Sequence, residues 1–529
     1  MGIPSYYKKL CDRIPGLLSK VRKGGQPSHL WIDFNCMVYH CLRRPGAKPY
    51  QGESTRLEWE NHLIQDVCHY LQKIVKLVAP TEQVFIGVDG VVPMAKMRQQ
   101  RLRRFKSQWV AAEEKRLGKV AAESERWDTN AITPGTAFME RLGEALRALR
   151  GGSGLKYVVS TADEPGEGEH KAMRGLRASA NKQSHVIYGL DADLILLSLL
   201  QPVKEMWLFR EAVECGEVQY VDNEEEYRYF GIHTLREFIC QGQDKDYLLD
   251  YCMAMSFVGH DFLPHGLSLK LKDGGHDILL QCLEEVRAKV GSLIRPSAHQ
   301  EFQWSHEALS ACIGWFAKHE EAWVQKHCLG KIRSRHQPAR GTTALELAMD
   351  EWNKTPLRVC EELALVGMTG KNEEGKLAIQ LRADWQTVYC ERWLGTSSTQ
   401  GIIREYMKGL DWILQYYTGQ EVDVEWCYPW FLPPLWSDMV TWLAHWDAPP
   451  APRHRTTYVL PQEQLTLVLP LSSWGLIRNK TLRGIPRLAP QLWPSVFSLF
   501  TAGHIHMWEC EAQIPLFTPA RLRHYLMQK

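Results

Sequence analysis

Three short apolar runs, each closing on an aspartate, constrain this chain more than any other feature: LWID at 30–33, VFIGVD at 84–89 and VIYGLD at 186–191. Runs of roughly four to eight residues rich in β-branched and aromatic side chains, bounded by Gly or Asp, read as buried strands. Helical patterns at 56–78, 94–118 and 136–150 alternate with them, and a Gly-rich break at 151–154 precedes a further run, YVVS, at 157–160. That rhythm predicts an α/β fold with a mainly parallel sheet flanked by helices. In such a sheet ligands bind beyond the carboxyl ends of the strands. Asp33, Asp89 and Asp191 are thus expected at that edge.

More carboxylates join them. Asp191 and Asp193 lie two apart in LDADL, and share a face if the strand continues through them. Glu167 and Glu169 lie in EPGEGEHK, where Pro165, Gly166 and Gly168 predict a tight turn ahead of a helix. Glycines let backbone approach a metal cluster closely, and His170 and Lys171 are placed to offset negative charge. Asp261 follows the apolar helical stretch DYLLDYCMAMSFVG. Any one acid alone reads as a helix cap or a solvated turn residue. Clustered together at strand ends they are costly to bury unless cations neutralise them. A pair of divalent ions does so, and two-metal sites suit phosphodiester cleavage.

Residues 93–109, PMAKMRQQRLRRFKSQW, carry six Lys or Arg between Lys96 and Lys106. On a helix, Lys96, Gln100, Arg103 and Arg104 share one face while Leu102, Phe105 and Trp109 form the other. A rack of cations and one amide beside carboxylates suits a terminal phosphate. The alternatives are a solvated amphipathic helix or a surface that holds nucleic-acid backbone without specificity.

The rest of the composition is permissive. Net charge is only +2, so any basic surface is local, and the 14 cysteines hold no CxxC pair. That fits reduced intracellular thiols better than disulfides or a zinc site. No run of eighteen apolar residues occurs, and MGIPSYYKKL lacks a secretory apolar stretch, so no membrane span and a cytoplasmic or nuclear location are expected. Residues 232–330 read as largely helical, GKIRSRHQPARGTT at 330–343 reads as a linker, and GKNEEGK at 370–376 as a second break. A part rich in Trp, Tyr and Pro follows from about 380.

These residues resemble the XRN family of 5′→3′ exoribonucleases. The matching strings are MGIPSYYKKL, WIDFN, VDGVVPMAKMRQQRLRRFK, ITPGTAFM, DEPGEGEHKAM, IYGLDADLILL and FVGHDFLP, continued by GLDWILQYYTGQ, EWCYPWFLPPLWSDM, PQEQLTLVLP and HMWECEAQIPLF. The resemblance implies a 5′-nuclease (PIN-like) core at 1–330, a variable linker at 331–380, and a smaller α+β second lobe at 381–529 that encloses the site. It makes Asp33, Asp89, Glu167, Glu169, Asp191, Asp193 and Asp261 the catalytic, metal-binding acids, holding two Mg²⁺ with Mn²⁺ as a substitute. Lys96, Gln100, Arg103 and Arg104 become the 5′-phosphate pocket. The implied partner is single-stranded RNA with a 5′ monophosphate, degraded stepwise to 5′-mononucleotides by a monomeric enzyme of mRNA decay. A DNA or flap nuclease, or an RNA-end scaffold that does not cut, are the rival readings.

The chain departs from the family at the stacking positions. Tyr39, followed by His40, stands where the family has a His, and Trp426 lies in a stretch that has lost several aromatic and polar residues. Tyr39, His40 and Trp426 are the expected base-stacking set; for Tyr39 and Trp426 the competing expectation is core packing. The chain also has no counterpart to the extra C-terminal domains of large members, which suggests a compact one.

Overall fold

The structure is a computed structural model that describes all residues except 1–5, 23, 120–125, 152–153, 180–182, 190, 215–216, 245, 297–300, 446–456 and 529. The start of MGIPSYYKKL, the middle of the 151–154 break and Leu190 of LDADL therefore lie outside the described residues.

The expected strands form the centre of one sheet. Its members are β1 (Leu18–Ser19), β2 (His29–Asp33), β3 (Gln83–Gly87), β4 (Lys156–Ser160), β5 (Ser184–Tyr188), β6 (Glu205–Glu211) and β7 (Tyr227–Gly231). They lie in the order β1-β7-β6-β5-β2-β3-β4. The five strands from β6 to β4 are parallel, and β7 and β1 close one edge antiparallel. From β2 the chain winds outward through β3 and β4, then returns to the other side of β2 through β5 and β6. The order reverses between β2 and β5, the position at which open α/β sheets bind ligands. Asp33 ends β2 at this point.

Alternation along the strands fills both faces of the sheet. Trp31, Phe85 and Ile187 enter one apolar core, whereas Leu30, Ile32, Val84, Ile86, Val186 and Tyr188 enter the other. Near-continuous apolar runs are what a parallel sheet covered on both faces requires. The helical patterns at 56–78, 94–118 and 136–150 appear as helices Arg56–Val78, Met94–Arg116 and Ala137–Ala148.

Three expectations need correction. The strands at β3 and β5 stop at Gly87 and Tyr188, so Asp89 and Asp191 sit on loops beyond them. Asp193 opens the helix Asp193–Leu199, so it is this turn into a helix, and not a strand pleat, that sets Asp191 and Asp193. Of the stretch expected as a linker, residues 335–343 carry neither helix nor strand, but the rest is built structure: helix His306–Ser334 runs into it, and helices Ala344–Asn353 and Thr355–Val359 and the hairpin Val366–Lys371 with Leu377–Leu381 follow. Its charge misled the reading, because Lys331 and Glu362 are both buried and paired with each other.

The apolar core does not divide at residue 330 or 381. One cluster runs from Tyr6 through Phe257, Phe316 and Trp436 to Phe500. A third core joins Met97 and Phe105 of the basic helix to Leu465, Leu482, Trp493 and Leu522. No described helix is long and apolar enough to cross a membrane.

Candidate metal centre and phosphate pocket

The acids meet at the carboxyl edge of β5, β2 and β3. Burial first, then the charges of Asp89, Asp191, Asp193 and Glu167, raise the Asp33 carboxyl well above its ordinary range. Glu169 is raised likewise by burial, Asp193 and Glu167. Asp193, buried at 4% exposure, is pushed up to about 7 by burial and then by Asp191. Mutual repulsion of this kind requires the carboxylates to share one small volume.

Local backbone explains how they come so close. Gly168 separates the two glutamates at the start of helix Gly168–Arg177, and a Cβ there would fall 2.4 Å from the Gly87 carbonyl oxygen and 2.9 Å from Asp33 Oδ1. Only glycine fits that gap. The Gly168 amide donates to Asp89 Oδ1 at 2.7 Å, and Asn35 Nδ2 donates to Asp89 Oδ2 at 2.8 Å. Asn35 begins the helix that follows β2, so both oxygens of Asp89 are aimed by neighbouring elements.

Lys96 Nζ lies 2.7 Å from Glu167 Oε2 and 3.0 Å from Asp261 Oδ2. Although burial opposes ionisation, the Lys96 charge holds both of these carboxyls below their usual range. Lys96, assigned from sequence to the phosphate pocket, thus belongs equally to the acid cluster. Lys171 turns its ammonium onto the carbonyls of Val88 and Thr161, at 2.8 and 2.9 Å. Burial pushes His170 down to about 4, so it is neutral near pH 7 and does not offset negative charge as the sequence suggested.

These residues fit a hard divalent cation. Glu167, Glu169 and His170 each bring a donor atom within 4.8 Å of the others. Asp193 Oδ1 is buried with no hydrogen-bond partner. A buried acceptor left orphaned is costly unless something positive meets it. A donor set dominated by carboxylate oxygens suits Mg²⁺ or Mn²⁺.

The basic helix carries a second, oppositely charged feature. Arg104 Nη2 donates to Thr133 Oγ1 at 2.8 Å, while Nη1 is buried without a partner. Burial pulls this guanidinium down to about 10, and Tyr39 and Arg103 are among the groups that act on it electrostatically. Gln100 is buried and accepts from Gln464 Nε2 at 3.5 Å. Leu102 and Phe105 pack into the core as expected, and Trp109 stacks on Trp352 with ring centroids 6.1 Å apart. Arg101 is a core residue: it donates to the Leu467 and Leu492 carbonyls and lies over the Phe105 ring.

The stacking set divides. Tyr39 is partly exposed, with the Arg43 guanidinium 5.6 Å from its ring centroid. His40 is corrected to a structural residue: its ring stacks on Tyr70 at 4.5 Å and Nε2 lies 2.7 Å from Glu225 Oε1. Trp426 is corrected to a core indole. It is 9% exposed, bonded through Nε1 to Glu405, and packed on Trp412 at 5.5 Å. Residue-by-residue reading missed Asn35, Tyr416 and Gln464, although all three lie in recognisable strings. Their roles depend on long-range contacts, such as the Tyr416 hydroxyl donating to Glu167 Oε1 at 2.6 Å.

The family model described as the XRN 5′-3′ exonuclease N-terminus matches residues 1–212. The matched stretch contains six of the seven acids and the whole basic helix. Among curated relatives, 5′-3′ exoribonuclease 1 of Homo sapiens is 26% identical over 99% of this chain and 34% of the relative. The 5′-3′ exoribonuclease 2 of Candida albicans is 27% identical over 71% of this chain and 46% of its own length. That of Eremothecium gossypii is 31% identical over 54% of the chain and 38% of the relative. The chain thus spans about a third to a half of the length of these relatives.

Proposed function

We propose that the protein is a metal-dependent, processive 5′→3′ exoribonuclease that removes 5′-mononucleotides from single-stranded RNA bearing a 5′ monophosphate. The observation that carries this reading is the pairing of two unbalanced charge sites on one helix. At Lys96 the helix meets the acid cluster, with its orphaned Asp193 oxygen, and at Arg104 it presents an orphaned guanidinium nitrogen. Eight residues of helix separate them by about 12 Å. The first site calls for cations and the second for an anion, which an RNA chain with a terminal phosphate supplies.

Asp33, Asp89, Glu167, Glu169, Asp191, Asp193 and Asp261 are the residues that would hold Mg²⁺. When bound, the ions supply Lewis acidity and an activated water for in-line displacement. The protein's own residues do the remainder. Asn35 and the Gly168 amide fix Asp89, and Gly168 itself keeps side-chain bulk away from Asp33. Arg104, with Arg103 and Gln100, would take the terminal phosphate, and the Tyr39 ring beside Arg104 would stack on the first base. Helix Pro461–Val468 packs along the basic helix, where Gln464 also accepts from the Val92 amide at 3.0 Å. Enclosure by residues 381–529 would admit one strand and favour stepwise advance.

A time course on end-labelled RNAs that differ only in their 5′ group, alongside a matched DNA strand, tests this reading. The expected result is chelator-sensitive release of mononucleotides from the 5′ end, fastest for the monophosphate. Preference for DNA would move the protein to the flap-nuclease reading, and binding without cutting to the scaffold.

A further inference from the structure

Glu167 is held by a side chain from the C-terminal part of the chain. Its Oε1 accepts from the Tyr416 hydroxyl at 2.6 Å, and its Oε2 lies 2.7 Å from Lys96 Nζ. Tyr416 belongs to helix Gln400–Thr418, 249 residues away in sequence. Its ring is buried among aromatics: His170 at 3.8 Å and Trp412 at 4.6 Å, with Trp426 5.5 Å from Trp412. Trp426 joins this aromatic cluster through Trp412. A second tie joins the same two helices, because Arg177 Nη2 donates to the Tyr417 carbonyl at 3.0 Å.

We propose that Tyr416 is a positioning residue for the metal centre, fixing the Glu167 carboxylate so that cation binding and docking of helix Gln400–Thr418 on helix Gly168–Arg177 are coupled. The inference rests on the metal-dependent reading above. A carboxylate offers about four lone-pair sites. The Tyr416 and Lys96 contacts occupy one on each oxygen and so set the direction of the remaining two. A phenolic hydroxyl facing a carboxylate oxygen is the donor of the pair. Partners that orient a metal ligand characteristically change metal affinity roughly 10–100-fold when lost.

Tyr416→Phe removes the hydroxyl and keeps the ring. Calorimetric titration with Mg²⁺ is expected to show about 10–100-fold weaker binding than wild type. The metal-free melting temperature should stay near that of wild type. In the RNA assay, excess Mg²⁺ should restore kcat, with KM for RNA unchanged. Amide exchange in Gln400–Thr418 should slow when Mg²⁺ is added to wild type and respond less in the variant. Equal Mg²⁺ affinity in the two proteins, or no Mg²⁺-dependent slowing in wild type, overturns the inference. Failure of wild type to bind Mg²⁺ at all is a different result, and overturns the functional reading itself.

Discussion

Two charge clusters in this protein, each with a lysine paired to a buried glutamate, behave oppositely. In one, Glu362 is fully buried and accepts from Lys331 Nζ at 2.9 and 2.7 Å and from the Gly503 amide at 2.5 Å, with His327 Nε2 at 3.3 Å. Although burial opposes ionisation, the His327 bond and the Lys331 charge hold its carboxyl far below the usual range. In the other, seven acids gather, Lys96 pairs with two of them, and Asp33, Glu169 and Asp193 are driven up. Where charges cancel and hydrogen bonds close, the cluster is a brace between helix His306–Ser334 and the chain around Gly503. Where one sign is in surplus and an oxygen is orphaned, the cluster is a site. The balance of charge, more than its burial, separates structure from function.

The sharpest way to break this comparison is Asp193→Asn. Cleavage should fall roughly 10³-fold in the end-labelled RNA assay, while the chelated protein melts at a higher temperature because repulsion is relieved. The same residue predicts a pH trend in chelated wild type. Its folded value of about 7 lies above its ordinary 3.8, so stability falls as pH rises between those values. Excess Mg²⁺ should abolish that trend. A destabilised Asp193→Asn protein would place Asp193 among the braces.

Glu362→Gln tests the other side. Breaking a buried pair while leaving Lys331 buried should cost about 3–5 kcal/mol, read by denaturant unfolding. Activity per folded molecule should be unchanged. The sign with pH is opposite to that of Asp193. The depressed Glu362 carboxyl contributes stability above its ordinary value of 4.5, and that contribution is lost as pH falls toward the folded value. The variant should lack this part of the acid limb.

Arg104→Ala extends the rule to a positive surplus. Loss of charged hydrogen bonds to a terminal phosphate, at about 1.5–3 kcal/mol, should narrow the rate ratio of 5′-monophosphate to 5′-hydroxyl RNA by roughly 10–100-fold. An unchanged ratio would place the phosphate elsewhere.

Much of the site was legible in the chain. The aspartates closing LWID, VFIGVD and VIYGLD are announced by strand periodicity, and the rack from Lys96 to Arg104 by helix periodicity. What failed did so for physical reasons. His40 and Trp426 stand in the expected base-stacking set, with core packing the alternative for Trp426, yet Glu225 and Tyr70 claim the first, and Glu405 and Trp412 the second. The linker expected at 331–380 holds built structure beyond residue 343, and the Lys331 partner Glu362, 31 residues away, is invisible to local pattern.

Sequence alone determined the parallel sheet, the edge at which the acids emerge and the helix that carries the cations, because periods of two and 3.6 residues are local properties. Tertiary structure decided which charges are cancelled and which are left in surplus. It turned Lys96 onto Glu167 and Asp261, buried Arg101 among aromatics and brought Tyr416 to Glu167. Charge balance depends on distances between residues hundreds of positions apart, and these exist only once the chain has folded.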